Sequence, residues 1–344
     1  MRGRGRILTA AVVGHICADL CPKLRGDEEI VPGAIVEVGP LTVRPGGCVA
    51  NTGRDLCSLG ASVRLVADIG EDELGSSLVH MLNESGLNCQ GIRRVRGAAT
   101  SYSLVFEPPG RDRAFWHHVG ANAFFDGQRV TPESDDLVHL GYPAILPAMY
   151  ADGGKALRSL LARVHQAGAT TSLDLSTIAA DSPAARVDWR GLLGRTVPLV
   201  DVLSPSVDDV VSALRIARPT SLAATGELAR HVLRLGAAAV LLTDGARGMH
   251  LVTANADRFR HSGRCFVERA GQWADRQFFL PASTSRDVAT VGAGDAATAG
   301  LLYGVLAAAS AGKAASIAAN LAAFKVAGGG RSPFSAQEES SARG

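Results

Sequence analysis

The chain has 344 residues, room for two domains or for one large α/β domain. Apolar residues make up 47% and charged residues 20%, which excludes a largely disordered chain. With 35 Lys and Arg against 33 Asp and Glu, the formal charge is +2, and aromatic residues are only 5%, so the sequence lacks both the basic field and the stacking surface of a nucleic-acid-binding protein.

The start, MRGRGRILTAAVVG, imitates a signal peptide, basic and then apolar. Its apolar run extends only from Ile7 to Gly14 before His15 and Asp19 follow, so residues 6–14 read as a buried parallel strand. Residues 29–45 alternate weakly and carry Pro and Gly, which predicts short strands in a hairpin. A helix is predicted over 47–60, a strand over 62–69 and a helix over 72–85, with Asp72 as its N-cap. Segment 92–119 differs from its surroundings: two β-rich runs flank a Pro-Pro-Gly turn, a hairpin inserted into an α/β chain. Alternation then resumes. Strands are expected at 137–142, 170–175, 198–203 and 237–243, and helices at 153–167, 206–216 (capped by Ser206) and 225–235. Residues 247–280 read as irregular strands, 294–309 and 313–327 as Ala-rich helices, and 331–344 as a polar, frayed tail.

Strands alternating with helices imply a mostly parallel sheet covered on both faces, an α/β fold of three layers. The segments 29–45 and 92–119 do not fit that sheet and are expected to pair as a small β lid. No apolar run reaches the ~18–20 residues of a membrane helix. The six cysteines (Cys17, Cys21, Cys48, Cys57, Cys89 and Cys265) are too sparse for a disulfide scaffold and contain no C-x-x-C pair, as expected of reduced thiols in the cytoplasm.

The sharpest chemical signal is Thr290-Val291-Gly292-Ala293-Gly294-Asp295 leading into a helix. Such a turn exposes backbone N–H groups at the positive end of a helix dipole, an anion hole suited to a phosphate. Asp295 there could accept a proton from an attacking hydroxyl, or simply cap the helix. The stretch also fits the dinucleotide pattern G-x-G-x-x-G/A, but no Asp or Glu lies between Ala296 and Gln337 to hold a ribose. A second signal is Pro45-Gly46-Gly47-Cys48-Val49-Ala50-Asn51, where the glycines let backbone approach a ligand and the Asn51 amide suits a polyol. His117-His118 is a poor metal pair, because adjacent strand residues point to opposite faces. Arg111 and Arg113 flank a turn and could meet a carboxylate or phosphate, and Tyr142, at a strand end, could line a pocket.

Together these motifs resemble the ribokinase-like (PfkB) family of carbohydrate kinases, from about Leu8 to Gly330. The glycines and Asn51 with Gly70-Glu71-Asp72-Glu73-Leu74-Gly75 look like its N-terminal signature, and Gly292-Ala293-Gly294-Asp295 like its second. Gly14 with Asp19, Gly120-Ala121-Asn122, and Thr243-Asp244-Gly245-Ala246-Arg247-Gly248 are further echoes. The resemblance implies a ribokinase-like kinase domain over 1–330, with ATP and Mg2+ as cofactors and a small sugar or polyol as substrate. It implies Asp295 as base and the N–H groups of Gly292, Ala293 and Gly294 around the transferred phosphoryl group. Asp19, Gly46, Gly47 and Asn51 would bind sugar hydroxyls. Thr243, Gly245, Gly248, Ser206 and Asn320 would line the nucleotide site, Asp209 would serve the metal, and the lid could join two copies in a homodimer. Three departures stand out. Ser206-Val207-Asp208-Asp209 replaces Asn-x-x-Glu. Gly141 stands where a pocket glutamate is usual. Ala289 stands where many relatives carry an acidic residue beside a monovalent cation, with Asp287 too far along the strand to substitute, so activity is expected to be nearly independent of K+ at fixed ionic strength. The alternatives are a nucleoside kinase on the same fold and a sugar sensor without turnover.

Overall fold

The computed structural model describes residues 7–26, 28, 32–108, 113–132, 134–282 and 292–328. Arg111, Asp287, Ala289 and the tail 331–344 lie outside the described residues, as does the K+ expectation that rests on Ala289.

Strand β1 (Thr9–Gly14) shows why the first apolar run is continuous. Ala10 and Val12 enter one core and Ala11 and Val13 the other, so both faces of the strand are buried. After β2 (Cys17–Pro22) and β3 (Leu41–Gly46) come α1 (Gly47–Ser58), β4 (Ser62–Gly70), α2 (Glu73–Glu84), β5 (Asn88–Val95), β6 (Tyr102–Phe106) and β7 (Ala114–His118). The second half runs β8 (Leu137–Gly141), α3 (Pro147–Gln166), β9 (Thr170–Leu173), α4 (Trp189–Thr196), β10 (Val202–Leu203), α5 (Val207–Leu214), α6 (Leu222–Leu233) and β11 (Ala239–Thr243). It closes with β12 (Met249–Thr253), α7 (Ala256–Arg260), α8 (Ala270–Trp273), β13 (Gln277–Leu280), α9 (Ala293–Leu306) and α10 (Ala311–Val326).

Among the described residues the main sheet has nine strands in the order β13-β12-β11-β10-β9-β8-β1-β4-β5, all parallel but β12, which pairs antiparallel with β11 and β13 at one edge. Helices α1, α2, α9 and α10 cover one face and α3 to α6 the other, giving the three layers expected. The second sheet, among the described residues, has four strands in the order β3-β2-β6-β7. Its make-up differs from the expected lid segments. β2, which follows β1 after only His15 and Ile16, is a central strand of the small sheet, and β3 begins only at Leu41. β5 joins the main sheet parallel to β4, so residues 92–95 belong there. The strand expected over 198–203 shrinks to β10, with Val197–Leu199 forming a 3-10 turn around Pro198. Segment 247–280 is two strands separated by α7 and α8 rather than strands throughout. Asp72 does cap α2, accepting from the Gly75 N–H at 2.8 Å.

Candidate active site

A cavity of about 900 Å3 opens between the small sheet and the carboxyl ends of the main strands, where open α/β sheets hold ligands. Its floor is the start of α9. Gly292 is the N-cap in the left-handed conformation (φ +77°), and no side chain among the described residues caps the helix, so the first-turn N–H groups of Ala293 and Gly294 are suited to an anion. Gly292, Gly294 and Asp295 all line the cavity, and a Cβ at Gly294 would meet nothing.

Asp295 is buried and held from three directions. Asn51 Nδ2 donates to Oδ2 at 2.9 Å, Thr52 Oγ1 donates to Oδ1 at 3.4 Å, and the Tyr142 hydroxyl donates to Oδ1 in a short contact. Burial raises the carboxyl pKa, while the bonds from Tyr142 and Asn51 pull the other way. A carboxylate so placed can take a proton from a hydroxyl bound in front of the glycine turn. Asn51 and Tyr142 therefore do more than line a pocket. Asn51 Oδ1 accepts from Arg54 at 3.2 Å, so both ends of this amide, expected to bind sugar hydroxyls, have protein partners.

The glycine pair opening α1 has a packing reason. A Cβ on Gly46 would lie 2.4 Å from Asp19 Oδ2, and one on Gly47 (φ +82°) would lie 2.6 Å from His15 Nδ1. Both glycines thus let Asp19 and His15 reach the cavity edge. Asp19, Ser103 and His117 lie in register across β2, β6 and β7, with Arg44 of β3 opposite Asp19. Ser103 Oγ and His117 Nδ1 are 3.0 Å apart, and the Cys17 thiol donates to Asp19 at 3.4 Å. Among the described residues neither ring nitrogen of His15 has a partner, nor does Nε2 of His117. Burial pushes the His15 pKa well down and that of His117 to about 4, so both imidazoles are neutral and can give or accept a hydrogen bond. Sequence reasoning missed His15, which stood only as the residue that ends an apolar run. His117 and His118 do part: His117 faces His15 and His118 stacks on Tyr102, and no metal-binding cluster exists among the described residues.

At the other end, Thr243 lines the cavity beside Ser206 and Asp209. The hydroxyl of Ser206 accepts from the Asp209 N–H at 3.1 Å and the Asp209 carboxylate accepts from the Ser206 N–H at 2.8 Å, a capping box for α5. Asp209 also accepts from Thr177 Oγ1 at 3.0 Å. Asp174, just past β9, is a further buried carboxyl on the wall, and Ser204, just past β10, has a buried hydroxyl with no partner. Burial raises the pKa of Asp174, Asp209 and Asp19 alike. Gly245, Gly248 and Asn320 do not line this cavity, and Gly245 and Asn320 are exposed. Arg113 lines it from the small sheet, over the Phe115 ring.

The sequence profile of the pfkB family carbohydrate kinases matches residues 8–337. The 2-dehydro-3-deoxygluconokinase of Thermoproteus tenax is 26% identical over 250 residues, 70% of this chain and 72% of that enzyme. Fructokinase-2 of Oryza sativa subsp. japonica is 28% identical over 110 residues, 32% of this chain, so the match spans 31% of that enzyme's length. Among solved structures, Arabidopsis thaliana ribokinase complexed with ribose and ATP superposes with a TM-score of 0.70 at 18% identity over 96% of both chains. A putative ribokinase II from E. coli in complex with ATP and Mg2+ gives 0.70 at 19% identity, over 98% of this chain and 100% of that one. At these identities the superpositions establish the fold.

Proposed function

The chain belongs to the pfkB family of carbohydrate kinases, and from that premise we propose that it transfers the γ-phosphoryl group of ATP to a hydroxyl of a small sugar or sugar-like polyol. The observation that carries this reading is the buried Asp295 carboxylate, bonded by Asn51 and Tyr142 beside the left-handed glycine turn that opens α9. The sugar lies against Asp19, Ser103, His15 and His117, whose neutral imidazoles and carboxylate match hydroxyl groups. Asp295 takes the proton of one hydroxyl. The freed oxygen attacks the γ-phosphorus in line, and the bond to the bridging oxygen of ADP breaks. The N–H groups of Ala293 and Gly294 bear the charge that builds on the transferred group. Small-sheet residues close the cavity to water, which would otherwise accept the phosphoryl group.

The donor set fits Mg2+. Asp209 supplies a hard carboxylate and Ser204 an unpartnered hydroxyl, suited to an ion that keeps several waters and is held largely by nucleotide phosphates. When bound, the ion neutralises phosphate charge. Thr243 and Ser206 serve the nucleotide end. The small sheet leaves Leu41 58% and Trp116 52% exposed, which supports a homodimer contact through it.

A nucleoside kinase is the second reading, favoured by Phe115 and His15 on the cavity wall, rings on which a base could stack. ADP formation with a panel of pentoses, hexoses, sugar acids and nucleosides decides. Turnover with a free sugar above that with every nucleoside is expected, and turnover with nucleosides alone would transfer the chain to the second reading. ATP hydrolysis that no acceptor stimulates would reject both.

A further inference from the structure

Asp295 is surrounded by like charge. Asp19 of β2, Asp55 of α1, Asp174 after β9 and Asp209 of α5 all act on it electrostatically. The thiols of Cys17 and Cys48 and the Tyr142 hydroxyl face the same charge. The groups that donate to the carboxylate (Tyr142, Asn51 and Thr52) are all neutral. Burial raises the Asp295 pKa, the donated bonds from Tyr142, Asn51 and Thr52 lower it, and a cation beside it lowers it further.

Lys325, in the last turn of α10, is placed to oppose it. A lysine at a helix C-terminus ordinarily extends into water. This one is 24% exposed, with Nζ 3.9 Å from Asp55 Oδ1. Its stem runs against the glycine turn: a Cβ on Gly292 would lie 3.4 Å from Lys325 Cε and 3.8 Å from the Asn51 amide. Gly292 is thus the gap through which the lysine stem and Asn51 approach each other. Asp55, itself buried, has its second oxygen unpartnered and sits 3.8 Å from Arg54 Nε, so it fixes the ammonium from one side. Arg54 and Arg44 both repel Lys325, Asp55 and Asp295 attract it, and burial lowers its pKa. An ammonium beside the positive end of α9 is unfavourable by itself and becomes favourable when negative charge lies between them.

We propose that Lys325 is a positioning residue for phosphoryl transfer, its ammonium fixed by Asp55 at the glycine turn so that positive charge faces both the Asp295 carboxylate and the transferred group. The proposal rests on the reading of Asp295 as base.

The test is the pH dependence of kcat, with the sugar that gives the highest turnover, for the wild-type chain, Lys325→Met, Lys325→Arg and Asp295→Asn, with a thermal melt of each. In Lys325→Met the acid limb is expected to move up by about one pH unit. Turnover on the acid side should fall about tenfold, and Lys325→Arg should keep the wild-type limb. An unmoved limb in Lys325→Met overturns the proposal, as does a Lys325→Arg variant as impaired as Lys325→Met, since charge would then not be the working property. Lys325→Gln repeats the test should Lys325→Met not fold. Wild-type turnover in Asp295→Asn would instead overturn the base reading itself, an outcome separate from any result at Lys325.

Discussion

At residue scale the site is a set of contacts to one carboxylate. Asn51 Nδ2 lies 2.9 Å from Asp295 Oδ2, a bond to a charged group worth about 1.5–3 kcal/mol. Asn51→Ala should therefore lower kcat by about ten- to hundredfold, with little change in the KM for ATP. A change confined to the sugar KM would instead place Asn51 on the sugar alone. His117→Ala should do the opposite: raise the sugar KM about tenfold and leave kcat nearly intact, because His117 faces the cavity from the small sheet and bonds Ser103 rather than Asp295. Equal losses in kcat and kcat/KM would argue that it acts in the transition state. The glycine turn and Asp295 were legible in the sequence because a short motif brings its own chemistry. The contacts of Tyr142 and Lys325 were not legible. Tyr142 meets Asp295 across 153 residues of chain. The spacing of Lys325 is that of any lysine favouring a helix dipole, and only the packing of α10 against α9 turns it inward.

At element scale, α9 and α10 pack through small residues. A Cβ on Gly304 would lie 2.6 Å from the Ala314 Cβ, so the two helices touch nearly backbone to backbone. Gly304→Val should cost about 1–3 kcal/mol by overpacking and lower the melting temperature by several degrees. Gly194→Ala in α4 should leave stability unchanged or raise it by up to about 1 kcal/mol, since a Cβ there meets nothing. Equal effects at the two positions would contradict the close approach. The Ala-rich composition announced these helices, and the continuous apolar run announced β1. The small sheet was harder to read. Its central pair, β2 with β6, joins Ala18 to Tyr102 in parallel, a pairing that local alternation cannot encode. β5 looks half polar because it lies at the sheet edge, and so it resembled the lid more than the core.

At the scale of the whole molecule, buried histidines link stability to pH. His139 sits in the middle of the main sheet, its Nδ1 2.9 Å from Ser172 Oγ and its Nε2 without a partner, and burial pulls its pKa down to about 3. The unfolded chain takes up a proton at this side chain below about 6.5, while the folded chain refuses it until about 3. The contribution of neutral His139 is therefore fully present above the unfolded value and is lost as pH falls through that window. Melting at neutral and at mildly acidic pH should show a smaller acid loss in His139→Asn than in the wild type, and an identical loss would remove His139 from the balance. The strand was plain in the sequence, but the burial of its histidine depends on both neighbouring strands and on the helices over them.

Phosphoryl transfer, as proposed, needs a carboxylate that activates a hydroxyl toward ATP in front of the glycine turn. The most direct measurement follows phosphate from γ-labelled ATP into the sugar by the wild-type chain and by Asp295→Asn, with the melting temperatures of both recorded. The wild type is expected to form one phosphosugar per ADP. In the variant, transfer should fall by about 10²–10⁴ while the fold and nucleotide binding persist. Transfer at the wild-type rate by a folded Asp295→Asn, or ADP formed by the wild type with no label in any sugar, would contradict it.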